Sequence, residues 1–150
     1  MTGGALMLIA DILEAKGHQV HTALPWTTVA QAAARLDDAG VGALLVCETN
    51  GRIRGIVSER DIVRGIVRHG RALLDMAVNE VMTRNVSTCA PDDTVPSAMA
   101  RMTRGRFRHL PVVAGGELVG LVSIGDLVKH RVREMELETG VLRDTFIAHH

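Results

Sequence analysis

Aromatic side chains are almost absent from this sequence: Trp26, Phe107 and Phe146 make up 2% of its 150 residues. Three scattered rings cannot form a platform on which nucleic-acid bases stack. Net charge is absent as well, with 17 Lys and Arg against 17 Asp and Glu and no sustained basic tract. Nonspecific binding of long nucleic acid, which draws its affinity from neutralised phosphates, is therefore not expected, and RNA binding through Arg101 to Arg108 ranks third among the readings. Cysteine is scarce: Cys47 and Cys89 provide neither a disulfide framework nor four zinc ligands. The expected setting is a reducing, cytoplasmic one. No apolar run reaches membrane-spanning length, so no membrane partner is expected. Ala5 to Ala10 lacks a basic flank and is interrupted by Asp11, which suits the opening of an amphipathic helix better than a targeting segment. Catalytic signatures are missing too. There is no Gly-x-Ser-x-Gly elbow, Walker loop or His-Glu-x-x-His, and no nucleophile with its base, so the chain is not expected to be an enzyme. His18 and His21 lack a third ligand in sequence, and no metal is expected.

What is present is aliphatic and repeated. Hydrophobic residues make up 47% of the chain. Its length suits one domain burying roughly 68–70% of its unfolded surface and is too short for a (β/α)8 barrel of about 250 residues. Leu24-Pro25-Trp26-Thr27-Thr28-Val29 returns as Ala90-Pro91-Asp92-Asp93-Thr94-Val95, a shift of 66, and Gly55-Ile56-Val57-Ser58-Glu59-Arg60-Asp61 returns as Gly120-Leu121-Val122-Ser123-Ile124-Gly125-Asp126, a shift of 65. The lost residue falls between Glu48-Thr49-Asn50-Gly51 and Ala114-Gly115-Gly116, at a hairpin tip where length is tolerated.

Each half reads as strand, helix, strand, strand, helix. Val29, Ala32, Ala33 and Leu36 recur as Val95, Ala98, Met99 and Met102 at helical spacing, and Gly40 and Gly105 are expected to be left-handed caps. Ala43 to Cys47 and Leu110 to Val113 read as buried strands, followed by Ile53 to Val57 and Leu118 to Val122. Closing helices begin with Ile62, Val63, Ile66 and Val67 in one half and Leu127, Val128 and Val132 in the other. The expected organisation is a first repeat over 10–70, a second over 71–134 with a linker at 71–80, and a helical tail over 135–150.

The duplicated Pro-x-x-Thr-Val, the Arg108-His109-Leu110-Pro111-Val112 segment and the Gly-hydrophobic-hydrophobic-Ser-x-x-Asp segments resemble the cystathionine-β-synthase (CBS) domain. The resemblance runs from about residue 10 to 134 and is closest to the small stand-alone CBS-pair proteins. It implies a mixed α/β (α+β) fold, two pseudo-symmetric β-α-β-β-α CBS repeats packed as one CBS-pair (Bateman) module. It also implies a homodimer that binds an adenine nucleotide and regulates a protein partner. AMP is the first expectation, with ATP, NAD(H) and S-adenosylmethionine as alternatives.

Ser58 with Asp61, and Ser123 with Asp126, fall at strand-to-helix junctions. A helix start offers N–H donors to a phosphate, and a carboxylate can accept both hydroxyls of a ribose. The same Ser-x-x-Asp spacing also makes a capping box with no ligand role. The resemblance implies two unequal sites. One is expected around Asp126, Ser123 and His109 with Lys16, Val20 and His21; the other around Asp61, Arg60 and Ser58 with Thr83, Ser87 and Thr88. Arg108 and His109 take the phosphate-holding positions, Ala43 leaves room for an adenine, and Thr22 and Pro111 complete the expected set. Arg101, by contrast, reads first as a solvated residue complementing a helix end. The competing expectation is a structural dimerisation module with vestigial sites, acting through residues 127 to 147.

Overall fold

The computed structural model describes residues 6–148, with side chains described as far as residue 136. They form α1 (Ile9–Lys16), β1 (Thr22–Ala23), α2 (Val29–Ala39), β2 (Ala43–Cys47), β3 (Ile53–Ser58), α3 (Glu59–His69), α4 (Val95–Gly105), β4 (His109–Ala114), β5 (Glu117–Ser123) and α5 (Ile124–Ala148). Two compact units result: residues 19–87, and the segment before Gln19 together with Thr88 onward. No described helix is long and apolar enough to cross a membrane.

In the inner unit, 19–87, β1 pairs parallel with β2 and β2 pairs antiparallel with β3, setting Ala43 opposite Ser58. Helix α2 starts where the sequence offers a capping box: Thr28 Oγ1 accepts from Gln31 N, and Gln31 Oε1 accepts from Thr28 N. It ends at Gly40, whose φ of 65° is left-handed. Val29, Ala32 and Leu36 lie beneath it in a core shared with Leu44, Val46 and Val57. Residues 71–80, which read as a linker, turn twice as 3-10 helix and add Leu73 and Val78 to this core. Gly65 lets Leu73 approach α3 closely, since a Cβ there would stand 2.5 Å from Leu73 Cδ1. The apolar stripe of α3 departs from expectation: Val63, Ile66 and Val67 are exposed, Val67 at 83%.

In the outer unit, Ile9, Ile12 and Leu13 of α1 pack with Val95, Ala98 and Met102 of α4, Leu110 and Val112 of β4, Val122 of β5 and Leu127 of α5. Helix α1 starts at Ile9 rather than near Ala5, because the Asp11 carboxylate accepts the Leu8 N–H at 2.8 Å and fixes the first turn there. Ala5 itself lies outside the described residues. Strands β4 and β5 pair antiparallel, with His109 opposite Ser123. The expected opening strand of the second repeat shrinks to one bridge, Cys89 to Val112. In both repeats a proline, Pro25 or Pro91, stands two residues beyond the last pair, where it has no N–H to extend a ladder.

The cap expected at Gly105 is displaced by one residue. Arg106 takes the left-handed conformation, with φ 57°, while Gly105 stays in the last helical turn. Gly105 serves packing instead, because a Cβ there would overlap the Phe107 ring. Helix α5 continues without a break from Ile124 through the segment read as a separate tail over 135–150; His149 and His150 lie outside the described residues. Val128, Val132 and Met135 are exposed on it.

Candidate functional site

Each unit carries one strand-to-helix corner. At the β3–α3 corner of the inner unit, Ser58 Oγ accepts from Asp61 N at 3.3 Å, while Asp61 Oδ2 accepts from Ser58 N at 2.9 Å and from Ser58 Oγ at 3.0 Å. The other oxygen, Asp61 Oδ1, accepts from Thr83 Oγ1 at 3.1 Å. Thr83 is placed by a two-way backbone bridge to Ile56. Asp61 is only 7% exposed, and the donors on it are the neutral groups of Ser58 and Thr83. Arg60 points from the same turn into solvent; Gly42, just before β2, accepts from Glu59 N through its carbonyl, and β2 contributes the buried Ala43.

The β5–α5 corner of the outer unit has the same box. Asp126 Oδ2 accepts from Ser123 N at 2.8 Å, and Ser123 Oγ accepts from Asp126 N at 3.1 Å. Its carboxylate takes a cationic side-chain donor where the side-chain donors on Asp61 are neutral hydroxyls. Lys16 Nζ, reaching from the end of α1, donates to Asp126 Oδ2 at 2.7 Å and to Leu121 O at 2.9 Å. Burial pushes the Asp126 carboxyl up, but hydrogen bonds from Lys16 and Ser123 and the Lys16 charge outweigh it and hold the group below the usual value of 3.8. At the start of β4, Arg108 just before the strand and His109 as its first residue occupy the positions of Gly42 and Ala43. Ile124 N donates to the Arg108 carbonyl as Glu59 N does to Gly42, and His109 faces Ser123 as Ala43 faces Ser58.

The expected residues therefore divide as follows. Ser123, Asp126, Lys16, Arg108 and His109 come together in the outer unit, and Ser58, Arg60, Asp61 and Thr83 in the inner one. Val20, His21 and Thr22 belong to the inner unit, where the His21 carbonyl accepts from Leu45 N and Thr22 pairs with Leu45. Ser87 closes the inner unit and Thr88 opens the return of the outer one. Pro111 is buried in β4, its carbonyl taken by Cys89 N.

Two contacts had no reading from the sequence. Arg35 Nη1 donates to the Thr22 carbonyl and Arg101 Nη1 to the Thr88 carbonyl, each thirteen residues back. Arg101 also lies 3.7 Å from Asp93 Oδ2, so it is an anchored side chain rather than a solvated helix end. Its repeat at a shift of 66 was the available signal. His18 Nδ1 donates to the Val119 carbonyl at 2.9 Å, inside the outer unit, whereas His21 is in the inner one. Both cysteines are buried and free. Burial raises the Cys47 thiol, and burial with the Asp93 charge, opposed by Arg101, pushes Cys89 up to about 11.

The sequence matches the CBS domain family over residues 10–68 and 78–133. It is 34% identical over 134 residues to the CBS domain-containing protein CBSX3, mitochondrial, of Arabidopsis thaliana, covering 84% of this chain and 65% of that one. A protein of Acidianus ambivalens is 35% identical over 112 residues, 74% of this chain and 66% of the relative. The chain thus spans just under two thirds of the length of these curated relatives. Among solved structures, the CBS-domain containing protein ATU1752 from Agrobacterium tumefaciens superimposes with a TM-score of 0.83 at 39% identity, over 87% of this chain and 98% of the other. The CBS domain pair of protein MJ0100, solved in complex with 5′-methylthioadenosine and S-adenosyl-L-methionine, shares the fold at a TM-score of 0.77 and 24% identity, over 87% and 99%.

Proposed function

The chain belongs to the CBS domain family and carries that domain twice, and from that premise we propose that it is a non-enzymatic regulatory module that senses an adenine nucleotide. AMP is the ligand we put first, with ATP and NAD(H) as its competitors. The observation that carries the reading is the duplicated corner. A serine and an aspartate stand at a helix start in each unit, Asp61 with Thr83 and Asp126 with Lys16, Arg108 and His109 beside it. A carboxylate there suits a ribose diol, and N–H donors with cations suit a phosphate. The complex of MJ0100 with two adenosine compounds supports the ligand class.

Sensing requires that the nucleotide bind one arrangement of the chain better than another, since only that difference can bias a partner. We assign the partner-facing surface to the exposed apolar faces of α3 and α5, and the first occupant we assign to them is a second copy of the chain. The buried, unpaired Cys47 and Cys89 accord with a reducing, cytoplasmic compartment.

The experiment is a thermal-shift titration with AMP, ATP, NAD(H) and S-adenosylmethionine. A true ligand at about 100 times its dissociation constant adds roughly 2.7 kcal/mol to stability, and Asp126→Asn removes most of that gain. A melting temperature indifferent to all four compounds rejects the sensor reading. It would leave the competing one, a dimerisation module acting through its helices.

A further inference from the structure

The two corners differ in what a ligand would have to displace. A carboxylate has about four lone-pair sites, two on each oxygen. On Asp126, Oδ2 is filled by Ser123 N and Lys16 Nζ. A ribose diol gripping both oxygens needs one site on Oδ2, and the Ser123 amide is fixed in the capping box. Lys16 is the only donor that can leave. Its side chain is 35% exposed, so it has room to do so. Its departure leaves an uncompensated ammonium at a corner whose neighbouring backbone carries the exposed Arg108. A ligand carrying an anion restores the balance and an uncharged one does not.

On Asp61 the situation is reversed. Its side-chain donors are the hydroxyls of Ser58 and Thr83, which can turn away without leaving a charge behind. The entry to β2 brings no cation, because Gly42 and Ala43 fill the places of Arg108 and His109.

Resting on the nucleotide reading above, we propose that Lys16 is a specificity switch: it occupies Asp126 in the free chain and transfers to the phosphate of an incoming nucleotide, so the outer unit selects phosphorylated over uncharged adenosine ligands. Removing Lys16 then has opposite effects on the two classes. The phosphorylated ligand loses its counter-ion, while the uncharged one no longer competes with an internal cation.

The test is isothermal titration calorimetry on the full chain with AMP and with 5′-methylthioadenosine, comparing wild type, Lys16→Met and Lys16→Arg. Expected for Lys16→Met is an AMP affinity weaker by about tenfold, with that for 5′-methylthioadenosine unchanged or tighter; Lys16→Arg keeps the wild-type preference. A Lys16→Met chain in which both affinities fall together, or in which the ratio of the two is unchanged, overturns the switch and leaves nucleotide sensing standing. Wild-type protein that binds neither compound overturns the switch, and sensing falls with it only when ATP, NAD(H) and S-adenosylmethionine also fail to bind.

Discussion

Arg35 spans thirteen residues backwards to donate to the Thr22 carbonyl at 3.0 Å, tying α2 to the short β1, and Arg101 makes the same tie from α4 to Thr88. The first strand of each repeat has only one or two paired residues, so this side-chain bond contributes much of its anchorage. Arg101→Met is expected to lower stability by about 1–1.5 kcal/mol and Arg35→Met by about 1 kcal/mol, the charged donor being lost in both and the Asp93 partner only in the first. Urea denaturation measures this. Equal, negligible losses would contradict it.

Glycine at two equivalent places predicts unequal costs. A Cβ at Gly55 would stand 2.6 Å from the Thr83 carbonyl oxygen and 2.8 Å from Met82 Sδ, whereas one at Gly120 meets the Leu13 methyl groups at 2.6 and 3.0 Å. Backbone cannot yield as a leucine rotamer can. Gly55→Ala should cost about 2–3 kcal/mol and Gly120→Ala about 1 kcal/mol, read from thermal or urea midpoints. The reverse order would show that Leu13 is the more rigid neighbour.

Asp126 gives stability a dependence on acidity. Its folded pKa is lowered, so its contribution is full above the carboxylate's unfolded pKa and is lost as pH falls through the folded value. Wild-type stability should therefore fall as pH drops below about 4, the ordinary carboxylate value. The Lys16 share of that fall is at most about 1 kcal/mol for a pair this exposed. In Lys16→Met the fall is shallower. Parallel unfolding curves for the two proteins between neutral and acid pH would refute the assignment.

Val67 is 83% exposed on α3, and Val132 is exposed on α5. Charging either should split a dimer that uses these faces without disturbing the cores. Light scattering after size exclusion should show Val67→Glu or Val132→Glu at half the wild-type mass, with the circular dichroism spectrum unchanged. Retention of the wild-type mass in both variants would remove these faces from the interface.

Much of the fold was legible because local signals agreed. Helical spacing picked out Val29, Ala32 and Leu36, and apolar runs marked β2 and β4. Both Ser-x-x-Asp boxes formed as their spacing required. Periodicity says which face of a helix is apolar, but not what covers it. Ile12 and Leu13 thus gave no sign that they pack on Leu110 and Val122, about a hundred residues away, and Val63 and Ile66 gave no sign that their own unit leaves them bare. Gly105 departs from the expected cap because a glycine can serve either a left-handed turn or a close approach, and only the position of the Phe107 ring decides between them. The pairing of Lys16 with Asp126 spans 110 residues and has no local signature at all.

The nesting of residues 19–87 inside a unit built from both flanks also sets an order of events during synthesis. Every contact of the inner unit is available once Ser87 has left the ribosome. Helix α1 is made before the inner unit and yet must wait, with Ile9, Ile12 and Leu13 uncovered, until β4, β5 and the start of α5 have followed it. Closing so long a loop is slow, and α1 is consequently the segment with the longest exposure to chaperones and to other nascent chains.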